Sequence, residues 1–302
     1  MGDFKSGFVS IIGRTNVGKS TLINSLVKEK VAITTAKPQT TRTAIRAILN
    51  DDNYQIIITD TPGIHKPKSK LGEVMVDTAF TMLSEVDAIL FVVEATSEDI
   101  GKGDQLILDR IKEVKKPTIL VINKIDLVKK ESLLNLISKF NEQYDFSAVI
   151  PISAEKKEGV EKVLDELLKI MPVGPVYYDP EEYTDQTARQ IVEEIIREKA
   201  LKFLNDEVPH GIYIEVESYK ERKTSKGEDI VDIDVTIYCQ RESHKGIIIG
   251  KGGNLLKKIA TYSRHDIEKI LGTKVNLKVW VKVKEDWQDK DSVVNKFKMK
   301  KQ

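Results

Sequence analysis

The chain has 302 residues, of which 40% are hydrophobic and 31% charged, a composition typical of a globular protein with room for two domains. Its longest apolar run, at residues 88–93, is far too short to cross a bilayer, which argues against a membrane-spanning role. The single cysteine, Cys239, excludes an internal disulfide and suits a reducing cytosol, so we expect a cytoplasmic protein.

The net charge of +1 conceals an uneven distribution along the chain. From residue 241 to residue 302 there are 16 Lys and Arg against 7 Asp and Glu, a net of +9, whereas the preceding 240 residues carry a net of −8. A basic segment attached to a mildly acidic body indicates a polyanionic partner for that end. A solvated lysine-rich surface would give the same count, and the charge alone does not separate the two interpretations.

Hydrophobic strands alternate with amphipathic helices between residues 7 and 171. This alternation predicts an α/β domain with a mostly parallel sheet and helices on both faces. Ligands of such sheets bind at the carboxyl ends of the strands, and each motif described below follows a strand. The predicted strands are 8–13, 45–49, 54–60, 88–94, 118–123 and 148–151, and the predicted helices are 20–27, 71–83, 102–114, 131–144 and 160–170.

The first predicted strand runs into a segment that fits the phosphate-binding pattern G-x-x-x-x-G-K-[ST]. Gly13 and Gly18 allow a sharp turn in which backbone N–H groups wrap a phosphate chain, and Lys19 brings a positive charge to the outer phosphates. The Ser20 hydroxyl is placed to bind Mg²⁺, and the following helix N-terminus favours an anion. An ordinary glycine turn is the alternative. The predicted phosphate-binding residues are Gly13, Arg14, Thr15, Asn16, Val17, Gly18, Lys19, Ser20 and Thr21.

A second motif follows the strand 54–60. Asp60 is placed to hold Mg²⁺ through a water, and the Gly63 N–H to reach a γ-phosphate. Alone, an Asp-x-x-Gly sequence after a strand is often only a turn, but the phosphate loop upstream favours the metal role. The predicted nucleotide-binding residues of this motif are Asp60, Thr61, Pro62, Gly63 and Ile64.

Two segments at later strand ends predict recognition of a guanine base. The Asp126 carboxylate would accept both N1–H and N2–H₂ of guanine, whereas adenine would leave it unpaired. Asn123 would contact the base and brace the phosphate loop, and the Lys124 stem would lie over the ring. A small-substrate P-loop kinase is the alternative, against which the Asn-Lys-x-Asp order argues. The predicted residues are Asn123, Lys124, Ile125, Asp126, Ser153 and Ala154.

The segment 34–43 is polar and lacks clear periodicity, as expected of a loop that orders around a γ-phosphate and Mg²⁺. Thr41 is predicted as the hydroxyl that senses Mg²⁺, with Thr40 as the alternative. Residues 64–70 are predicted as a second mobile segment, with a plain basic surface loop as the alternative. The predicted metal ligands are therefore Ser20, Thr41 and Asp60.

The second half of the chain predicts a domain organisation of 1–172, a linker at 173–187, a second domain at 188–284 and a basic tail at 285–302. Prolines and a glycine mark the linker as one of limited flexibility. The predicted elements of the second domain are a helix at 188–204, strands at 212–219 and 230–240 joined by the turn 220–229, a short helix ending at Lys245, a helix at 254–271 and a strand at 274–284.

This α-β-β-α-α-β order, with a G-x-x-G loop between two helices, resembles a type II KH domain, an α+β fold. In that family the glycine loop lets a nucleic-acid backbone approach closely, so that unpaired nucleotides lie in a groove against the sheet edge. A lone G-x-x-G is more often a helix-connecting turn, and the basic charge favours RNA binding here. The predicted RNA-binding residues are Lys245, Ile248, Ile249, Gly250, Lys251, Gly252, Gly253, Lys257 and Lys258, of which the isoleucines line the groove or the core rather than read bases.

Two tryptophans lie near the end of the second domain. Trp280 alternates with valines along the last predicted strand, which favours a packing role. Trp287 lies beyond that strand, where it either covers the core or stacks on a base, and we favour packing. Beyond it, the lysine-rich residues 290–302 add non-specific attraction for RNA or remain disordered.

Taken together, the segments GRTNVGKSTLIN, KPQTTRT, DTPGIHKP, NKID and ISA make the chain similar to bacterial ribosome-assembly GTPases of the TrmE–Era–EngA type with a C-terminal KH domain. The resemblance covers nearly the whole chain and departs at the lysine-rich tail. It implies slow, Mg²⁺-dependent hydrolysis of GTP to GDP, coupled to binding of the 3′ end of 16S ribosomal RNA during maturation of the small subunit. No DNA partner is expected, and a peripheral association with the cytoplasmic face of the membrane stays open.

The resemblance also bears on how hydrolysis is assisted. In Ras-like proteins a glutamine that orients the attacking water follows the Asp-x-x-Gly glycine, but here Ile64 stands there, so the unstimulated rate should be low. Asn16 occupies the position at which some relatives coordinate a monovalent cation, which suggests K⁺ as an activator, with a plain turn role as the alternative. The predicted catalytic residues are Lys19, Asn16, Thr41 and Gly63, without a general base.

Overall fold

The computed structural model describes residues 3–34, 41–64 and 66–297, and within them the chain divides into two units. The first comprises the residues up to 185 and the described residues beyond 294, and the second comprises residues 186–294. Each unit has its own hydrophobic core. Within the described ranges, no helix combines the length and the apolar character needed to cross a membrane.

Six strands form the sheet of the first unit. In chain order they are β1 (Lys5–Ile12), β2 (Ile45–Asp51), β3 (Tyr54–Asp60), β4 (Ala88–Glu94), β5 (Thr118–Asn123) and β6 (Ala148–Pro151). They lie in the order β2-β3-β1-β4-β5-β6, with β2 antiparallel to β3 and the other neighbours parallel. The predicted mostly parallel sheet is therefore confirmed, and the carboxyl ends of its parallel strands meet at one edge.

Helices cover both faces of this sheet. They are α1 (Lys19–Val27), α2 (Lys70–Met82), α3 (Lys102–Val114), α4 (Lys130–Gln143) and α5 (Val160–Ile170). One hydrophobic cluster joins α1 and α5 to the sheet through Leu22 and Val163, and a second joins α2, α3 and α4 to it, with Ile107 among its members. Neighbouring strand residues such as Leu90 and Phe91 enter opposite clusters. Both faces are thus buried, as a parallel sheet requires.

The bounds of β3, β4, β5 and β6 agree with the predicted ones residue for residue. β1 begins earlier than predicted, at Lys5, because residues 5–7 pair with residues 54–56. β2 continues to Asp51 because its antiparallel pairing with β3 extends to the hairpin turn. Among the helices, α3 and α5 match their predicted ranges. α1 begins one residue earlier than predicted, and α2 and α4 are shifted by one residue at both ends, where helix boundaries are least defined.

The segment 173–185, predicted as part of a linker, lies against the first unit. The Gln55 side chain accepts hydrogen bonds from the backbone N–H groups of Tyr177 (2.7 Å) and Tyr178 (3.0 Å), and its amide donates to the carbonyl of Tyr178 at 2.8 Å. The ring of Tyr177 also contacts the ring of Phe8, with centroids 4.9 Å apart. Because these contacts come from a buried strand, the segment is held along the sheet up to residue 185.

The second unit has the predicted α-β-β-α-α-β order. Its elements are α6 (Ala188–Phe203), β7 (Ile212–Lys223), β8 (Asp229–Cys239), α7 (Glu242–Ile249), α8 (Asn254–Leu271) and β9 (Lys274–Val283). The sheet order is β7-β8-β9, with β7 antiparallel and β9 parallel to β8. Helices α6 and α8 pack on one face through a cluster that includes Ile196, Ile267 and Val235. The predicted α+β domain is confirmed.

Two elements of this unit, α7 and β7, differ from the prediction by several residues, whereas α6, β8 and β9 differ by one residue at one or both ends. α7 does not end at Lys245 but continues to Ile249, because one more helical turn carries the fully buried Ile248 into the core. β7 extends to Lys223, where it pairs with Asp229, so the connecting turn is shorter than the predicted 220–229. Gly227 in this turn has φ 80°, a left-handed conformation that glycine adopts without strain.

The two tryptophans have opposite environments. Trp287 is fully buried, and its indole N–H donates to the carbonyl of Gly211 at 2.9 Å, so the predicted packing role is confirmed. Trp280 is 58% exposed, and the packing role predicted for it is wrong. The reason is strand alternation: Val279 and Val281 point into the core, which turns Trp280 to the open face of the sheet. Residues 285–294, predicted as the start of a tail, are folded in this unit.

The different burial of the two tryptophans leads to a prediction about stability. Trp287→Ala should lower the free energy of unfolding of the second unit by about 3–5 kcal/mol because it leaves a large cavity. Trp287→Phe should cost about 1–3 kcal/mol, since the Gly211 carbonyl loses its donor. The control Trp280→Ala should change stability by less than about 0.5 kcal/mol. Urea unfolding followed by circular dichroism measures all three, and equal losses at both positions would contradict the assignment.

Candidate functional site

A cavity of about 600 Å³ lies at the carboxyl edge of the six-stranded sheet. It is lined by loops that follow β1, β3, β5 and β6, as expected for this class of sheet. Of the predicted nucleotide-binding residues, the cavity brings together Thr15, Asn16, Gly18, Lys19, Ser20, Thr21, Gly63, Asn123, Lys124, Asp126, Ser153 and Ala154, with Thr41 beside them. The remaining ones, Gly13, Arg14, Val17, Asp60, Thr61, Pro62, Ile64 and Ile125, do not line it.

The glycines of the loop after β1 are required by close packing. A Cβ at Gly13 would lie 2.3 Å from the carbonyl oxygen of Val92, and a Cβ at Gly18 would lie 2.1 Å from Nδ2 of Asn123. Gly18 also has φ 99°, and Asn16 has φ 66°, a left-handed conformation that asparagine tolerates better than most residues. The loop ends directly in α1, so the N–H groups of the helix N-terminus are available to an anion.

The Lys19 side chain is held by the loop itself. Its Nζ donates to the carbonyl oxygens of Gly13 (3.1 Å) and Arg14 (2.9 Å), and the residue is 6% exposed. Burial lowers the pKa of Lys19 to about 8, an effect that the nearby Asp60 carboxylate opposes. A phosphate chain in the cavity would bring negative charge to this ammonium group and favour its protonated form.

Three oxygen-bearing side chains converge beside Lys19. Oδ2 of Asp60 accepts hydrogen bonds from the hydroxyls of Ser20 (2.8 Å) and Thr41 (3.0 Å), which lie 3.2 Å apart. Burial raises the pKa of Asp60, and Lys19 opposes this shift. Its other oxygen, Oδ1, is buried and has no hydrogen-bond partner among the residues that the structure describes. An unsatisfied carboxylate oxygen beside two hydroxyls is an oxygen-only set of the kind that Mg²⁺ prefers, so these residues fit the metal.

Part of the predicted metal site lies outside the residues that the structure describes. Thr40, the predicted alternative to Thr41, lies outside the described residues, as do residues 35–40 of the predicted switch loop and His65 of the second one. Over the part of the chain that the structure describes, no group of three His, Cys, Asp or Glu is placed to hold a metal. The Ser20, Thr41 and Asp60 set differs from such a group because nucleotide phosphates and water supply the remaining Mg²⁺ ligands in sites of this kind.

Asn123 connects three parts of the site. Its Nδ2 donates to the carbonyl of Val17 at 2.8 Å, and its Oδ1 accepts from the backbone N–H of Ala154 at 2.9 Å. Both hydrogen bonds are buried, where leaving a partner unsatisfied costs about 1–3 kcal/mol. The side chain therefore fixes the phosphate-binding loop relative to the loop after β6.

Asp126 lies where a planar base could meet a carboxylate. A hydrogen bond from the Ser153 hydroxyl lowers the pKa of Asp126, and Lys156 Nζ lies 3.6 Å from its Oδ2. The ionised carboxylate has acceptor capacity for two adjacent donors, the pattern that guanine presents. Lys124, with φ 66°, crosses the same end of the cavity, and its Nζ donates to Glu94 Oε1 at 2.8 Å.

Several residues of the site were missed by the sequence prediction. Glu94, which anchors Lys124, is the last residue of β4, and its place at the carboxyl edge was the signal that could have found it. Lys156, which faces Asp126, had no signal because it comes from a surface loop. The cavity lining also includes Ile33, Thr34, Leu127 and Glu155, which neighbour predicted residues in the chain.

Two predicted residues point away from the cavity. The Ile64 side chain is buried in the core beneath the sheet, and its N–H donates to the carbonyl of Gly13 at 3.1 Å. Ile64 therefore reaches the site only through its backbone. The Arg14 guanidinium points toward α3 and forms an ion pair with Asp104 at 3.0 Å. Thr61 supports the loop from behind, with its hydroxyl donating to the carbonyl of Ile11 at 2.6 Å.

The second unit contains a separate candidate surface at the turn between α7 and α8. Gly250, Gly252 and Gly253 have φ values of 73°, 61° and 78°, and no atom of the described part of the chain lies within 4 Å of a Cβ built at Gly252 or Gly253. The backbone of this loop is thus open to close approach by a ligand. Lys251, Lys257 and Lys258 are exposed and Lys245 is half-buried.

The isoleucines beside this loop differ in their burial. Ile248, predicted to line either the groove or the core, is fully buried in the core, so its side chain does not belong to a surface for RNA. Ile247, which was not predicted, is 49% exposed, and Ile249 is half-buried. Which of these neighbouring isoleucines is buried depends on the helical phase of α7. The prediction did not include this phase because the helix was expected to end at Lys245.

Comparison with known proteins agrees with both units. The family model described as "50S ribosome-binding GTPase" matches residues 8–124, and the model described as "KH domain" matches residues 207–288. A curated protein of Caldanaerobacter subterraneus subsp. tengcongensis named GTPase Era is 54% identical over 97% of both chains. GTPase Era of Clostridium novyi is 52% identical and covers 97% of this chain and 98% of its own.

Two solved structures resemble the whole chain. One is Era in complex with MgGDPNP and nucleotides 1506–1542 of 16S ribosomal RNA, 38% identical, with a TM-score of 0.93 over 97% of this chain and 98% of that one. The other is an Aquifex aeolicus Era variant bound to GDP·AlF4⁻, 38% identical, with a TM-score of 0.92 over 97% and 99%. With identities of this size over nearly the full length, the chain belongs to the GTPase Era family.

Proposed function

We propose that this GTPase works as a switch whose nucleotide state controls RNA binding by its KH domain. The observation that carries the nucleotide part is that one cavity is lined by Lys19, Ser20, Thr41 and Asp126, with the Asp60 carboxylate hydrogen-bonded to the Ser20 and Thr41 hydroxyls. Lys19 and the oxygens of Ser20, Thr41 and Asp60 suit a phosphate chain with Mg²⁺. Asp126 suits a guanine base. GTP and GDP are ligands that require all of them.

The proposed reaction is in-line attack of water on the γ-phosphate. Lys19 and the backbone N–H groups of its loop stabilise the developing charge, and the Gly63 N–H contacts the γ-phosphate. Mg²⁺, held by Ser20, Thr41 and Asp60, would neutralise charge on the phosphate oxygens. Ile64 has no polar side-chain atom and is buried, so it cannot orient the water. We therefore expect slow turnover without a stimulator.

Potassium is the proposed activator. Asn16 lines the cavity, and its backbone has a left-handed conformation with φ 66°. A monovalent cation at its side-chain oxygen would add positive charge near the phosphates. This charge would stabilise the transition state and offset part of the assistance that Ile64 does not give. K⁺ is proposed over Na⁺ because it is less strongly hydrated and suits a site built from one amide oxygen and phosphate oxygens.

The proposed RNA is the 3′ end of 16S ribosomal RNA, and the proposed role is maturation of the small ribosomal subunit. The support is the relative of similar fold solved with nucleotides 1506–1542 of that RNA, together with the open glycine loop and its lysines. Such loops let a sugar-phosphate backbone approach while exposed lysines meet the phosphates. A ribosomal partner places the proposed activity in the cytoplasm, and a peripheral association with the membrane is a secondary proposal.

The base contact is tested by Asp126→Asn. The amide oxygen can still accept from the guanine N1–H, but the amide NH₂ presents a donor to the guanine N2–H₂, so GTP affinity should fall by about 100-fold or more. XTP, whose carbonyl at C2 accepts from that NH₂, should bind better than it does to the unchanged protein. Titration of fluorescent GDP and XDP analogues measures the exchange of preference. Unchanged GTP affinity would contradict the role assigned to Asp126, and ATP binding in either protein would favour a kinase-like site.

The RNA surface is tested by Gly252→Asp. This change adds negative charge to the loop and should weaken binding of a 16S 3′-end oligonucleotide by about tenfold or more, while GTP affinity stays constant. Gly227→Asp is the matched control because Gly227 also has a positive φ, 80°, and also has no atom within 4 Å of its Cβ position. Equal RNA affinity in the two variants would contradict the proposal.

The cation proposal is tested by turnover in KCl and NaCl at equal ionic strength. Phosphate release should be about tenfold faster in KCl, and Asn16→Ala should remove most of the difference. Equal rates in the two salts would contradict a K⁺ site. GDP affinity, which depends less on charge at the γ-phosphate, serves as the control and should change little between the salts.

A further inference from the structure

Arg14 belongs to the phosphate-binding loop, but its side chain leaves the nucleotide cavity. Its Nε lies 3.0 Å from both Oδ1 and Oδ2 of Asp104, in the first turn of α3. Its Nη2 donates to the hydroxyl of Ser97 at 3.2 Å. The Asp104 side chain is only 2% exposed, whereas that of Arg14 is 33% exposed. The loop is thus tied to α3 by an ion pair with one buried partner.

The surroundings of the pair are shaped to hold it. Burial raises the pKa of Asp104, and the Arg14 guanidinium opposes that shift. Gly103 lies under the arginine stem, where a Cβ would be 2.8 Å from Cδ of Arg14. The absence of a side chain at this position therefore lets the stem lie flat on the helix.

The backbone of Arg14 connects this pair to the reacting end of the cavity. Its carbonyl oxygen accepts a hydrogen bond from Lys19 Nζ at 2.9 Å. Arg14 also forms a bridge with Ile64, the residue after Gly63. At Gly63 the two loops nearly touch, since a Cβ there would lie 2.8 Å from Cα of Thr15. A shift of Arg14 would therefore move both groups assigned to the γ-phosphate.

We propose that Arg14 and Asp104 are a positioning pair for GTP hydrolysis, which sets the loop backbone so that Lys19 and the Gly63 N–H converge on the γ-phosphate. The inference rests on the proposed reaction of this cavity. The pair acts from outside the cavity and touches no phosphate. Its effect should therefore appear in the chemical step rather than in nucleotide affinity, because alignment of reacting groups matters most in the transition state.

Helix α3 supplies a matched control. Arg110 and Glu113 form an ion pair on the same helix, but their side chains are 48% and 62% exposed. Exposed pairs of this kind contribute little to stability, and this one lies outside the residues that touch the cavity loops. Arg110→Gln and Glu113→Gln should therefore leave GTP turnover unchanged.

Single-turnover phosphate release, nucleotide affinity and thermal unfolding of the full chain test the pair. Arg14→Gln and Asp104→Asn should each slow release by about tenfold while affinities for GDP and a GTP analogue change less than about threefold. The double variant should be no slower than either single one, because the two groups act as a unit. Arg14→Lys, which keeps the charge, should recover part of the rate.

Gly103→Ala separates positioning from folding. Alanine is the better helix former, so α3 should not lose stability, yet its Cβ would displace the Arg14 stem and slow phosphate release. Rates equal to the unchanged protein in Arg14→Gln and Asp104→Asn would overturn the inference, as would losses matched by equal losses of affinity or of folded protein. No phosphate release from the unchanged protein would instead overturn the proposed function and this inference with it.

Discussion

The nucleotide site depends on one amide side chain. Asn123 joins the carbonyl of Val17 to the N–H of Ala154, so a single residue at the end of β5 fixes the phosphate loop against the loop beside the base-binding end. Gly18 must be a glycine because the Asn123 amide occupies the space of its side chain. The carboxyl ends of the parallel strands bring these loops together, and Asn123 fixes their relative position.

The site contains buried charged groups whose burial is only partly compensated by their contacts within the protein. Lys19 and Asp60 are both buried, and burial shifts the pKa of each toward its neutral form. Such groups destabilise the unliganded fold relative to a complex in which phosphate and Mg²⁺ neutralise them. We therefore propose that the site favours the nucleotide-bound protein, and that loss of the γ-phosphate changes the charge that Thr41 and Gly63 would meet. This change would be the physical basis of the proposed switch.

Much of the site could be predicted from the sequence because the backbone conformation and close packing of its motifs require particular residue types. Gly13 and Gly18 mark close approaches that no other residue allows, and Asp60 and Asn123 stand at strand ends whose bounds were predicted correctly. What failed depended on tertiary contacts. The phase of α7, which buries Ile248 and exposes Ile247, and the outward face of Trp280 follow from packing against distant elements. The link from Arg14 to Asp104 spans 90 residues and had no local signal.

The proposed nucleotide and RNA sites lie in different units of the chain. The nucleotide site lies wholly in the first unit, and the glycine loop lies in the second. In the proposed switch the nucleotide site and the RNA surface must influence each other, because coupling between two binding sites is reciprocal. The most direct test is single-turnover phosphate release from GTP with and without an RNA oligonucleotide of the 16S 3′ end. We expect slow release alone and faster release with RNA. An equal rate in both conditions, with RNA bound, would contradict the proposed coupling.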